Sequence, residues 1–174
     1  MDQLGKIMEE KTTKAVQKVP RMMAIVRIRG DINVMPGISA TMKLLRLHRK
    51  HRCVVVPATA NYMGMISKVK DYCTFGEIDE ATLKDLLEKR GRIAGNKSLT
   101  AEFLKANKLT FETFAKKIMN RDMKIKDVDG VKQFFKLHPP IGGFAREGIK
   151  KPFAMRGSLG YRRTEINKLL RKMI

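Results

Sequence analysis

The chain has no tryptophan, and aromatic residues fill only 6% of its 174 positions. A broad platform for stacking bases is therefore not available to it. Cysteine occurs twice, at Cys53 and Cys73. Two thiols are too few for a disulfide scaffold and fit a reducing compartment. Long apolar runs are missing as well. The longest uncharged stretch, Cys53 to Ser67, is broken by Pro57, Asn61 and Gly64, too short and irregular to span a bilayer. The first residues, MDQLGKIMEEK, are charged throughout and contain no apolar signal region. Acidic residues are scarce, with 17 Asp and Glu against 37 Lys and Arg and a formal charge of +20.

Catalytic equipment is also lacking. There are three histidines, His48, His51 and His138. The order His48-x-x-His51-x-Cys53 with a distant Cys73 lacks the paired close spacing of a structural zinc site. Helical periodicity would put His48 and His51 on nearly opposite faces. Gly143-x-x-x-x-Gly148 is followed by Ile149 rather than Lys, so it fails as a phosphate-binding P-loop. The basic segments hold no carboxylate pair. The expectation is a non-enzyme with no cofactor, no metal, no small-molecule substrate and no membrane partner.

What is present is a basic, foldable chain. With 43% hydrophobic residues it is too apolar for a disordered tail, and 174 residues suffice for a real core. Such a charge excess on a folded surface implies a polyanion, nucleic acid above all. The excess is uneven. Residues 24–76 carry nine bases against two acids, and residues 136–174 ten against two, whereas residues 77–135 carry thirteen against ten. The balanced middle reads as a solvated helical region and the two basic segments as a binding surface.

Ala24-Ile25-Val26-Arg27-Ile28-Arg29 alternates apolar with polar and ends at Gly30. This predicts a strand with Ala24, Val26 and Ile28 inward and Arg27 and Arg29 projecting from the other face. Ser39 is placed to cap a helix running to about Lys50, with Lys43, Arg46 and Lys50 as a basic stripe opposite its apolar arc. Cys53 to Val56 predicts a buried strand, Asn61 to Tyr72 a helix carrying Lys68 and Lys70, and Thr74 to Ile78 a third strand. This order predicts an α+β sandwich with helices on one sheet face and the other face free. From Asp79 the period is helical. Gly91 ends one helix, and two short Thr-led pieces follow around Phe103 and Phe114. Pro139-Pro140, Gly142-Gly143 and Gly157 then interrupt regular structure, among Arg146, Lys150, Lys151, Arg156, Arg162 and Arg163. A closing helix, Glu165 to Met173, turns Lys168, Arg171 and Lys172 outward. Four regions result: an N-terminal extension (1–22), an α+β nucleic-acid-binding core (23–78), a helical insertion (79–126), and a basic extension with a C-terminal helix (127–174).

Several stretches resemble the L-thirty family of large-subunit ribosomal proteins in its archaeal form. They are Leu44-Leu45-Arg46-Leu47, Val54-Val55-Val56-Pro57-x-Thr59, Gly64-Met65-Ile66 and Lys68-Val69. Phe135 to Pro140, Gly142-Gly143-Phe144, Leu159-Gly160-Tyr161-Arg162 and Ile166 to Leu170 complete the match. Arg52 and Cys73 depart from the usual pattern. The resemblance implies a ferredoxin-like small sheet with two helices, carrying a helical insertion and a basic Gly/Pro-rich extension. It implies a cytoplasmic, structural constituent of the large ribosomal subunit that binds and stabilises folded rRNA near 5S rRNA and among neighbouring ribosomal proteins. The residues expected on rRNA are Arg27, Arg29, Lys43, Arg46, Arg49, Lys50, Arg52, Lys68, Lys70, Arg146, Lys150, Lys151, Arg156, Arg162, Arg163, Lys168, Arg171 and Lys172. The alternative from composition alone is a chromatin-type or regulatory DNA-binding protein that reads with its helical insertion. The insertion's second helix carries Lys116 and Lys117 but no Arg, Asn or Gln set for base edges. The first twenty-two residues lie outside the resemblance and are expected to be a mobile arm or the product of an upstream start codon.

Overall fold

The computed structural model describes residues 21–107 and 109–174, so the expectation for the arm up to Pro20 falls outside the described residues. Three strands, Met22–Arg27 (β1), Arg52–Pro57 (β2) and Cys73–Glu77 (β3), form an antiparallel sheet with β1 in the middle. Two short strands extend it. Phe135–Lys136 (β4) pairs antiparallel with β2, and Gly160–Tyr161 (β5) pairs parallel with β3. The order is β4-β2-β1-β3-β5.

Helices cover both faces. Pro36–Leu44 (α1) and Ala60–Val69 (α2) close one side around Met23, Ile25, Met42, Val54, Val56 and Ile66. On the other side lie Glu80–Arg90 (α3), Ala101–Ala106 (α4), Phe111–Asn120 (α5) and Ile166–Met173 (α6). Their Leu83, Leu86, Leu104, Phe114, Ile118, Leu169 and Leu170 share one core with Ala24, Val26, Cys53 and Val55. The sheet is therefore a filled middle layer, which corrects the expectation of a free face. β1 shows why alternation misleads here. All six of its residues are buried, because a central strand between two helical layers has no solvent side.

Local chemistry sets several boundaries. Pro36 opens α1, with Met35 at the N-cap and no side-chain cap. Ser39 therefore lies inside the helix. α1 stops at Leu44, well before Lys50, because Arg46 turns to a φ of +60°. The expected stripe of Lys43, Arg46 and Lys50 on one helix face does not form. Asp79 stands at the N-cap of α3 without a side-chain cap bond, and Gly91, which ends the helix as expected, is its C-cap. Thr100 and Thr110 cap α4 and α5 by accepting from the amides of Phe103 and Thr113, as their sequence echo suggests.

Residues 127–174 join the same architecture. They supply β4, β5 and α6, and α6 buries Ile166, Leu169, Leu170 and Met173. At roughly 1.5–3 kcal/mol per buried apolar side chain, that face can hold a helix too short to stand alone. Gly76 makes the close approach possible, since a Cβ there would strike the Arg163 carbonyl and Ile166.

Candidate nucleic-acid interface

Register places most of the basic segments at one end of the sheet. Val26 pairs with Cys53 and Thr74, and Cys53 with Phe135, while Thr74 pairs with Gly160. The C-terminus of β1, the N-termini of β2 and β3, the exit of β4 and the entry of β5 therefore share an end. So do the loops attached to them: 28–35, 45–51, 70–72 and 137–159. The C-terminus of α6 joins them, because the amides of His138 and Ile141 donate to the carbonyls of Met173 and Lys172. Two sequence segments far apart in the chain become one surface.

Its centre is a polar cleft of about 190 Å³ lined by Arg49, Lys50, His51, Arg52, Lys136 and Leu137. No carboxylate lines it. Arg49, Lys50 and Lys136 are exposed. Lys50 lies across Gly30, where an added Cβ would stand 2.9 Å from its Cε. Arg52 is half-buried, with its guanidinium 4.4 Å above the Phe134 ring. Burial, then the charges of Arg49 and Arg27, pull its pKa down. Both burial and neighbouring like charges disfavour the charged form. His51 is lowered too, by burial first and by Lys50 second, and its Nδ1 is buried without a partner. The His51 ring stacks on Phe144 at 6.1 Å, which folds the loop bearing Arg146, Lys150, Lys151 and Arg156 over the cleft.

The remaining expected residues divide. Arg29 joins this end, donating to the Asp71 carbonyl at 3.2 Å and lying over Tyr72. Lys68 and Lys70 are exposed at the end of α2, which returns the chain to the same loops. Arg171 and Lys172 are exposed at the end of α6. Lys151 is partly offset by Glu147 at 2.6 Å. Lys43 lies in the last turn of α1, and Arg46 follows in the 45–51 loop but faces the outer edge of β2 rather than the cleft. Arg163 and Lys168 lie towards the opposite end of β3, and Lys168 pairs with Glu165 at 2.8 Å.

Two arginines are corrected outright. Arg27 is 1% exposed and donates to the carbonyls of Leu47 and Arg29 and to the Asp31 carboxylate. Arg162 is buried, donating to Thr74 Oγ1 at 2.9 Å and the Ser158 carbonyl at 3.0 Å, with its plane on Phe153. Burial lowers its pKa. Both guanidiniums tie loops to the sheet and are spent inside the fold. Lys136, His51 and Phe144 were missed by the sequence reading. Lys136 opposes Arg52 across a two-residue strand, too short to leave a period, and the His51–Phe144 stack joins residues far apart in the chain.

The helical layer presents charge differently. Lys84 meets Glu112 at 2.5 Å and Lys116 meets Glu80 at 4.0 Å. Among the described residues, no group of three or more His, Cys, Asp or Glu side chains is arranged to hold a metal ion, and no helix is long and apolar enough to cross a membrane.

This arrangement has relatives. A family model described as ribosomal protein L30p/L7e matches residues 23–73, from β1 to the start of β3. The chain is 52% identical over 152 residues to the large ribosomal subunit protein uL30 of Methanococcus maripaludis strain C5, covering 87% of this chain and 98% of that one. It is 46% identical over 154 residues to the protein of the same name from Nanoarchaeum equitans, covering 88% and 99%. For Archaeoglobus fulgidus the figures are 46% over 156 residues, covering 87% and 99%. These relatives give no support to the DNA-binding alternative. With 46–52% of the aligned residues identical across almost the full length of archaeal proteins of that name, the chain belongs to the uL30 family of large-ribosomal-subunit proteins.

Proposed function

We propose that the chain docks on folded large-subunit rRNA through the loop end of its sheet, with the cleft between Arg49, Lys50, Arg52 and Lys136 seating backbone phosphate. As a uL30 family member it is a structural, non-enzymatic constituent of the large subunit. One observation carries the docking reading: five cationic or protonatable side chains line a cleft without a carboxylate. Such a site is electrostatically unfinished until an anion enters. Arg29, Lys68 and Lys70 extend it on one side. Arg146, Lys150, Arg156, Arg171 and Lys172 extend it on the other. Recognition through phosphates and shape suits folded RNA, whose deep major groove side chains do not read. We propose further that the docked chain lies near 5S rRNA; as a large-subunit protein it has ribosomal proteins among its partners.

Filter binding of the protein to an rRNA fragment across a salt series tests the reading. Each neutralised phosphate contributes a slope of roughly 0.7–0.9 log units per log unit of salt. A steep slope, with weaker binding to duplex DNA of equal length, supports rRNA docking. A flat slope or a preference for DNA overturns it.

A further inference from the structure

On the far side of α1, β2 ends its pairing early. β4 reaches only Arg52 and Cys53, so among the described residues Val54 to Pro57 have no strand partner on that edge. Proteins normally cover or blunt such an edge, because its amides and carbonyls template another strand. Here the edge faces a groove of about 580 Å³. Val54, Val55 and Val56 meet it along the strand edge, their side chains buried in the two cores, while half-buried Tyr62 and Met123 and Leu44, 73% exposed, give it an apolar lining. Arg46, Arg121, Lys124 and Lys126 line it, and no carboxylate does. Arg121 adopts a φ of +68° at the C-cap of α5. Its Nε and Nη2 are buried and have no acceptor. Those two atoms form the guanidinium edge that, once the half-exposed side chain turns into the groove, grips a carboxylate through parallel hydrogen bonds.

We propose that this groove receives an extended acidic segment of a neighbouring protein, added as a strand to the edge of β2 with one carboxylate on Arg121. Strand addition uses backbone hydrogen bonds for affinity and side-chain pockets for specificity. All three features are accounted for: the edge takes the backbone, Leu44, Tyr62 and Met123 take apolar side chains, and the cations take the acids. An RNA strand would satisfy the cations but neither the strand edge nor the apolar lining. Residues 1–20 of this chain carry four lysines against three acids and complement the rim poorly. The groove shares no lining residue with the rRNA-docking cleft and meets the loop end of the sheet only through Leu45 and Arg46, so rRNA docking and strand addition can fail independently.

The test uses assembled large subunits in which Lys124 is replaced by the photoreactive p-benzoylphenylalanine. After irradiation, the expected product joins this position to one peptide of another ribosomal protein, with Asp or Glu within three residues of the crosslink. Arg121→Ala is expected to lower its yield at least fivefold while the protein still enters subunits. Lys126→Glu, on the same rim and away from the backbone turn, is expected to lower it at least twofold, and decides the matter if Arg121→Ala does not fold. A crosslink to rRNA, to residues 1–20, or to a peptide without acids overturns the proposal. So does a yield indifferent to both substitutions, or no crosslink at all. Incorporation into subunits reports separately on rRNA docking.

Discussion

The loop end of the sheet and the helical layer of residues 79–126 are both rich in lysine and arginine, yet they hold them in opposite ways. In the helical layer, Lys84 and Lys116 have carboxylates opposite them. At the loop end, Arg49, Lys50, Arg52 and Lys136 face one another across a cleft with no acid between them. Exposed ion pairs contribute at most about 1 kcal/mol each, so the first arrangement is ordinary surface chemistry. The second is repulsive until something fills it. The difference teaches that sign segregation, more than cation count, marks the binding face.

The most severe way to break the comparison is charge reversal. Arg49→Glu, Lys50→Glu and Lys172→Glu together are expected to weaken rRNA binding on the order of 100-fold at moderate salt. Lys105→Glu, Lys116→Glu and Lys117→Glu together are expected to change it less than threefold. Titration of both variants against the same rRNA fragment, with circular dichroism to confirm equal helix content, checks this. Equal losses would erase the distinction between the two regions.

A second prediction separates buried cations from surface ones. Arg27→Met is expected to destabilise the protein by about 2–4 kcal/mol, because the Leu47 and Arg29 carbonyls lose their donor. The affinity of the remaining folded protein for rRNA should stay within threefold. Urea unfolding and binding titration measured in parallel decide it. A large loss of affinity without loss of stability would return Arg27 to the interface.

Much of this was legible in the residues. The strand-helix-strand-helix-strand order, the Thr-led helices and the closing amphipathic helix follow from period and caps. The basic segments follow from counting. What was not legible depends on the third dimension. Arg27 and Arg29 read alike in a strand pattern, yet one is buried and the other half-exposed, because β1 lies under two helical layers. Arg162 reads as one more cation of a glycine-rich tail, but β5 carries it against Thr74. Arg46 and Lys50 fall on one helical face only if the helix continues, and it ends at Leu44. Lys136 enters the cleft through a pairing two residues long.

The loop over the cleft sharpens the comparison further. Residues 142–157 carry few buried side chains, and the His51–Phe144 stack is their contact with the cleft. Their amides are expected to exchange at least tenfold faster than those of β1 in the free protein and to gain protection on rRNA binding. By contrast, Leu159 and Ser158 are buried beside Arg162, so 158–162 should be protected in both states. Hydrogen exchange with and without rRNA reads both segments, and strong protection of 142–157 in the free protein would contradict the account.

The smallest expected effect concerns pH. Burial and Lys50 hold His51 below its ordinary value. In the free protein this favours the folded state above about pH 6.5, and that contribution is lost as pH falls through the lowered folded value. A phosphate in the cleft acts in the opposite direction and favours protonated His51. Binding should therefore strengthen a few-fold between pH 8 and pH 6, and His51→Gln should flatten the dependence. His51 is the imidazole of the cleft, the side-chain type whose charge changes in this range. An unchanged slope in the variant would remove His51 from the site.

Lysine reactivity in the assembled particle tests the central claim most directly. Purified large subunits and the free protein are acetylated under matched conditions, and each lysine is quantified by mass spectrometry. The account predicts that Lys50, Lys136, Lys150 and Lys172 become at least tenfold less reactive in the subunit, while Lys105, Lys116 and Lys117 change less than twofold. Comparable protection of the two sets, or protection of the helical layer alone, would contradict a binding face at the loop end of the sheet.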